Sequence, residues 1–146
     1  MLSNNLVSNV MNSNIIPIKS NDTLGQAAAI FKKTALRHLP VVQNNEVIGM
    51  IGESDIERIV SAYKFCIDNA SISASALECV PVSHVMTQKI VHIQSHQTIE
   101  EAAEILAERA FRALPVLDGD ELVGVISTTS LMKYVVHEMS ANGVYI

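Results

Sequence analysis

Two short stretches of this 146-residue chain carry residue types able to hold a small polar ligand. In the first, Arg37 and His38 stand just ahead of Leu39-Pro40-Val41, and Gly49-Met50-Ile51-Gly52-Glu53-Ser54-Asp55 ends in a hydroxyl and a carboxylate. In the second, Arg112 stands ahead of Leu114-Pro115-Val116, and Gly124-Val125-Ile126-Ser127-Thr128-Thr129-Ser130 supplies hydroxyls. A carboxylate can accept two O–H donors at once, and hydroxyls beside a helix N-terminus suit an anion. This is the chemistry of binding rather than turnover. The chain has no G-x-S-x-G, no H-E-x-x-H and no phosphate-binding loop. His84, His92, His96 and His137 lack metal-ligand spacing, and Cys66 and Cys79 belong to no CxxC pair. Both cysteines are expected to be reduced, buried and apolar in role. The chain is read as a non-enzyme that requires no cofactor and no metal.

The same residues also have purely structural uses. Asp55 suits the first turn of a helix without any ligand. Ser127 and Thr129 suit helix caps, Arg37 and Arg112 suit surface ion pairs of little energy, and His38 suits a partly buried, hydrogen-bonded site. Met11 and Met86 are expected in the core.

The elements that position these residues come from an internal repeat. At an offset of 75 positions the chain aligns with itself without a gap from Val7 to Glu57. Identical pairs include Met11 with Met86, Thr23 with Thr98, Ala27-Ala28 with Ala102-Ala103, Arg37 with Arg112 and Gly49 with Gly124. Each copy opens with a short extended run, Ile15 to Lys19 or Ile90 to Gln94. Pro17 places the first of these at a sheet edge, because proline cannot donate to a ladder. A helix follows, with capping-box spacing at Thr23/Gln26 and Thr98/Glu101. Then come two apolar strands joined by Gln43-Asn44-Asn45 or Asp118-Gly119-Asp120, the signal of a hairpin. A second helix starts near Ser54 and near Thr129.

The expected class is therefore α+β, with two β-α-β-β-α repeats packed about a pseudo-twofold axis. One such unit cannot cover both faces of its sheet, whereas two can bury their apolar faces together and leave clefts where they meet. The expected boundaries are 1–60 for the first repeat, 61–81 for a linker and 82–146 for the second. Within the linker, IVSAYKFCI continues the second helix, DNASISAS reads as a loop and SALEC as a short helical lead. The Asn- and Ser-rich start is expected to fray.

Composition agrees with a packed domain. Apolar residues make up 49% and aromatics only 4%, so the core must be aliphatic. A net charge of −5 argues against nucleic acid and anionic membrane as partners. No apolar run approaches the ~20 residues of a membrane helix. The start lacks a signal-peptide pattern, and the expected location is cytoplasmic.

In the order and spacing of these motifs the chain resembles a tandem pair of CBS domains, named after cystathionine β-synthase. The matching features are VM near each start, T-x-x-x-A-A, R-x-L-P-V and G-x-I ahead of a polar helix start. The resemblance covers roughly Val7 to Met139. It implies a free-standing regulatory module that binds an adenosine-containing ligand (AMP, ADP, ATP or S-adenosylmethionine) in an inter-repeat cleft, and it implies face-to-face homodimers. The family signature G-h-h-S/T-x-x-D, with h apolar, uses its aspartate for both ribose hydroxyls and its hydroxyls and helix N–H groups for phosphate. The first copy has Asp55 but Gly52 in place of the hydroxyl residue, with Ser54 as a substitute and Glu53 adding negative charge. The second has Ser127 and Thr129 but Ser130 in place of the aspartate. The resemblance further implies that Arg37, His38 and Arg112 reach phosphate and that adenine lies around Ile16 and Val91.

The resulting expectation is an energy-sensing CBS pair that passes ligand occupancy to an effector protein. The alternative is a ligand-free dimerisation or docking scaffold whose nucleotide sites have degenerated.

Overall fold

The computed structural model describes residues 5–66 and 74–143. The architecture is α+β, with two copies of the strand, helix, strand, strand, helix plan. Of the expected DNASISAS loop, residues 68–73 lie outside the described residues and Ala74-Ser75 begin a short helix; of the start expected to fray, residues 1–4 lie outside them, and residues 5–12 are instead held by hydrogen bonds, among them Val7 and Ser8 donating to the Gln97 and Ser95 carbonyls.

Contacts divide the chain into two units, and the division does not follow the repeat boundary. Residues 16–90 form one unit, and residues up to 15 together with 91 onward form the other.

In the unit of residues 16–90, β1 (Ile18–Lys19) leads to α1 (Leu24–Lys33), β2 (His38–Gln43), β3 (Glu46–Gly52) and α2 (Glu53–Cys66). The short α3 (Ala74–Leu77) and β4 (Thr87–Gln88) complete it. The sheet order is β1-β2-β3-β4, with β1 parallel to β2 and the other pairs antiparallel. Pro17 immediately precedes the edge strand β1, so its missing N–H costs the ladder nothing. The strand is shorter than the expected run from Ile15 to Lys19.

Helix α1 starts where its sequence predicts. The Thr23 side chain accepts from the Gln26 N–H, and the Gln26 side chain accepts from the Thr23 N–H at 2.8 Å. The hairpin of β2 and β3 turns on Asn44 and Asn45, with φ of 51° and 66°. Asparagine tolerates this left-handed region, which a two-residue type I′ turn requires at both positions. Ile18, Leu24, Leu39, Val41, Ile51, Ile56 and Val82 fuse with the aromatic Phe31 into one apolar core, and each such side chain removed from water contributes about 1.5–3 kcal/mol.

The second unit repeats the plan. It consists of β5 (Ile93–Gln94), α4 (Ile99–Arg109), β6 (Ala113–Asp118), β7 (Glu121–Ser127) and α5 (Thr128–Ala141). The Thr98 side chain caps α4 by accepting from the Glu101 N–H. The Glu101 carboxylate instead accepts from Gln97 Nε2 at 2.7 Å, so the capping box has only one of its two bonds. Val7, Ile93, Leu114, Val116 and Ile126 are fully buried.

The repeat alone did not reveal what the leading residues of each copy do. Val7 donates its N–H to Gln97, and Asn12 bridges to Val125, so the chain start docks on the second sheet. Correspondingly Val82 donates to Asp22, and β4 pairs with β3 of the first sheet. Each copy's opening segment is lodged in the other copy's unit. Gly49 and Gly124 make this possible. A Cβ on Gly49 would lie 2.6 Å from Met86 Sδ and 2.7 Å from the Thr87 carbonyl oxygen. A Cβ on Gly124 would lie 2.6 Å from Met11 Sδ. The repeated methionines are half-buried covers laid over these glycines.

Gly49→Val should therefore unseat β4 and cost at least about 1–3 kcal/mol, because a backbone oxygen cannot swing aside as a side chain can. Urea unfolding would register the loss, and amide exchange at Gln88 should accelerate more than at Val41.

One cysteine expectation is corrected. Cys79 is exposed, because it follows α3 in a surface turn rather than facing the core. The side chain of Cys66 lies outside the described residues.

Candidate functional site

Each candidate carboxylate or hydroxyl sits at the start of the helix that follows a hairpin. In both repeats the same backbone bond holds this corner. The N–H of the first helical residue donates to the carbonyl of the arginine just ahead of the hairpin's first strand. The bond runs from Glu53 to Arg37 in one copy and from Thr128 to Arg112 in the other, each at 3.0 Å. The G-x-I run and the R-x-L-P-V run are thus brought to one corner by strand pairing, with His38 opposite Gly52 and Ala113 opposite Ser127.

Around α2, Asp55 is the third helical residue. Its Oδ2 accepts the Gly52 N–H at 2.7 Å, and its Oδ1 accepts from Arg58 Nη2. The Asp55 side chain is only 14% exposed, whereas that of Arg58 is 65% exposed. Arg37 lies 3.5 Å from Glu53 in a mostly solvated ion pair. Gly52 has a steric reason to lack a side chain. A Cβ there would lie 3.3 Å from His38 Cδ2 and 3.4 Å from Asp55 Oδ2. A hydroxyl residue at this position would crowd the space through which Asp55 reaches back to the backbone. Ser54 is half-buried in the same turn.

Around α5 the capping is inverted. Ser127 is the N-cap, and its Oγ accepts the Ser130 N–H at 3.2 Å and lies 3.0 Å from Ser130 Oγ. The two copies thus use opposite halves of a capping box, the third-residue side chain in α2 and the cap side chain in α5. No acidic residue occupies the first turn of α5, whereas α2 has Glu53 and Asp55 there. Thr129 and Arg112 are exposed.

The structure places Arg37, His38, Ser54 and Asp55 at one corner, and Arg112, Ser127 and Thr129 at the corresponding corner of the second repeat. Ile16, 36% exposed, belongs to the unit of residues 16–90, and the half-buried Val91 belongs to the other. Arg58 was missed by motif reading. Its signal was the i,i+3 spacing of Asp55 and Arg58, which on a helix brings opposite charges together.

The duplicated hairpin corners have a counterpart among known proteins. The CBS domain family pattern matches residues 7–62 and again 82–137. The chain belongs to the CBS domain family. The CBS domain-containing protein YhcV of Bacillus subtilis is 27% identical over 125 residues, covering 86% of this chain and 81% of its own length. Homoserine O-acetyltransferase of Methanococcus vannielii is 28% identical over 132 residues, 89% of this chain. This CBS pair spans only 25% of that enzyme's length. Among solved structures, a CBS-domain protein from Burkholderia ambifaria is 28% identical with a TM-score of 0.69, covering 86% of this chain and 85% of its own. The CBS pair of protein MJ0100, in complex with 5′-methylthioadenosine and S-adenosylmethionine, reaches a TM-score of 0.73 at 19% identity, covering 91% and 97% of the two chains. CBSX2, in complex with AMP, reaches 0.68 at 21%, with the same coverage. Among the described residues of the present CBS pair, no helix is long and apolar enough to cross a membrane, and no cluster of metal-ligating side chains occurs.

Proposed function

We propose that this CBS pair is a non-catalytic regulatory module that binds an adenosine-containing ligand at the α2 corner and reports its occupancy to a partner protein. The observation that carries the reading is Asp55, a mostly buried carboxylate held at a helix start, in a fold whose neighbours MJ0100 and CBSX2 bind adenosine derivatives. In this reading the ribose hydroxyls take the Asp55 oxygen that Arg58 now occupies. The arginine side chain is solvated and gives way cheaply, while the Gly52 N–H keeps the carboxylate aimed. Arg37, His38 and Ser54 meet the 5′ substituent, and Ile16 meets the adenine. Val91, Arg112, Ser127 and Thr129 make up the matching set for a second ligand. Ligand that binds one arrangement of the pair better shifts the population toward it. Homodimers are part of this reading.

The test is thermal unfolding of ligand-stripped protein with AMP, ADP, ATP, S-adenosylmethionine and 5′-methylthioadenosine. A ligand at a hundred times its Kd adds about 2.7 kcal/mol, a rise of roughly 5–10 °C at this chain length. A flat response to all five sinks the reading.

Glu53 sets an expectation for ligand charge. It stands in the same helical turn as Asp55 and neutralises Arg37. Glu53→Gln should tighten AMP about fivefold, from removal of about 1 kcal/mol of like-charge repulsion, and leave adenosine unchanged. Calorimetric titration of both ligands gives the comparison, and equal changes for the two would remove Glu53 from the site.

One observation favours the rival reading, a ligand-free scaffold. Both Asp55 oxygens are already engaged within the chain, by Gly52 and by Arg58. In a scaffold these bonds serve only the helix start, and a partner protein would bind regardless of nucleotide.

A further inference from the structure

The α2 corner carries its own stand-in for a ligand. Both Asp55 oxygens are engaged within the chain, Oδ2 by the Gly52 N–H at 2.7 Å and Oδ1 by Arg58 Nη2. The two bonds differ in kind. The Gly52 bond joins side chain to backbone across the helix start and is fixed by the fold. The Arg58 bond is made by a side chain 65% exposed to a carboxylate side chain 14% exposed, so the guanidinium lies on the solvent side of the pair. It presents N–H donors where a pair of ribose hydroxyls would present O–H donors. Its own helix offers Arg58 no second acid at contact spacing. The residues three and four positions away are Ser54, Asp55, Ser61 and Ala62, and Asp55 is the sole acid among them. The second repeat lacks the arrangement. Lys133 and Ser130 stand where the first has Arg58 and Asp55, and Ser130 Oγ lies 3.0 Å from Ser127 Oγ.

We infer that Arg58 is a built-in competitor for the adenosine-containing ligand, an affinity-setting residue that must leave Asp55 before ribose can bind. The inference rests on the ligand reading above and adds the regulation of that same site. Each binding event exchanges one charge-assisted bond, from Arg58 to Asp55, for bonds from the ribose hydroxyls. The guanidinium goes to water, with no acid on its helix to receive it, so the full worth of the pair is subtracted from the affinity. For an exposed pair that worth is modest, a few-fold in Kd. It also depends on salt, because a solvated ion pair weakens as the screening length shortens. The consequence runs against the usual sense of salt effects. A neutral nucleoside should bind this corner more tightly as ionic strength rises. Arg58 acts through Asp55 and is not itself a ligand contact.

The test is calorimetric titration of the full chain with adenosine, which carries no charge for Arg58 to attract. It is run at about 10 mM and about 1 M sodium chloride, across which the screening length falls from roughly 30 Å to roughly 3 Å. Arg58→Ala should bind adenosine about threefold tighter than wild type at low salt, and the two should come to within about 1.5-fold of each other at high salt. Arg58→Lys keeps the charge but not the planar fork, and should fall between them at low salt. Arg58 is exposed, so the variants should fold, and circular dichroism checks this. Equal or weaker binding by Arg58→Ala, or a gain that ignores salt, overturns the competition while leaving the ligand reading in place. No adenosine binding by wild type or by Arg58→Ala, at either salt concentration, overturns the ligand reading and the competition with it.

Discussion

Asp55→Ala is expected to abolish the rise in unfolding temperature that an adenosine-containing ligand gives the wild-type chain, and to do so without dismantling the fold. Without ligand the variant loses one backbone contact at the α2 start and one solvated ion pair, costing about 1 kcal/mol, a few degrees of midpoint. With ligand it loses the acceptor for two O–H donors, and the roughly 5–10 °C response should disappear. The two effects separate cleanly because one is read in buffer and the other as a difference. Asp55→Asn is the useful companion. It keeps a carbonyl oxygen to accept the Gly52 N–H but turns an NH2 donor toward the ribose hydroxyls where the carboxylate offered an acceptor, so stability should largely recover while binding does not. A ligand response that survives both substitutions would move the binding site away from α2.

The largest loss of stability is expected from the core strand behind this corner. Leu39 is fully buried, pairs in register with Ile51 and belongs to the cluster that includes Phe31 and Val82. Leu39→Ala should cost about 2–5 kcal/mol, the sum of lost transfer energy and the cavity left behind. Leu114→Ala, its repeat counterpart, should cost a similar amount in the other unit. Their effects on ligand should differ. Leu39 immediately follows Arg37 and His38, so its truncation loosens the corner and should weaken adenosine binding several-fold beyond the stability loss. Leu114 underlies Arg112 and Ser127 and should leave that binding nearly intact. Calorimetry on the two variants, with and without ligand, decides. Equal loss of binding in both would mean that the ligand does not depend on the Asp55 corner alone.

Much of this architecture was legible because its determinants are local. The Thr23 capping box, the Asn44-Asn45 turn and the apolar runs of β2 and β3 each specify their conformation within a few residues. Repetition at a fixed offset made each local signal count twice. What was not legible depends on contacts distant in sequence. Nothing in Thr87-Gln88 announces a strand, because two residues have no period, and β4 exists only because Gly49 leaves room beside it. Cys79 was placed in the core on residue type, whereas the turn that follows α3 turns it to solvent. The composition of the α2 corner was readable from its motif, but the reach of Asp55 back to Gly52 and its pairing with Arg58 required the folded helix. Met11 and Met86 were recognised as packing residues, but not as packing each on the other repeat's glycine.

That last exchange bears on how such a chain can be divided. The stretch that is duplicated is not the stretch that packs. A fragment ending at Cys66 would carry an opening segment with no sheet to receive it and a sheet whose β3 edge is bare. Two such fragments could satisfy each other only by trading opening segments, as in a domain-swapped pair. The excised span 16–90, by contrast, takes its missing edge along with it and should be the smallest piece able to stand by itself. Joining the present ends and reopening the chain between Ile15 and Ile16 would then yield a permuted protein in which each packed unit is one uninterrupted length of polypeptide.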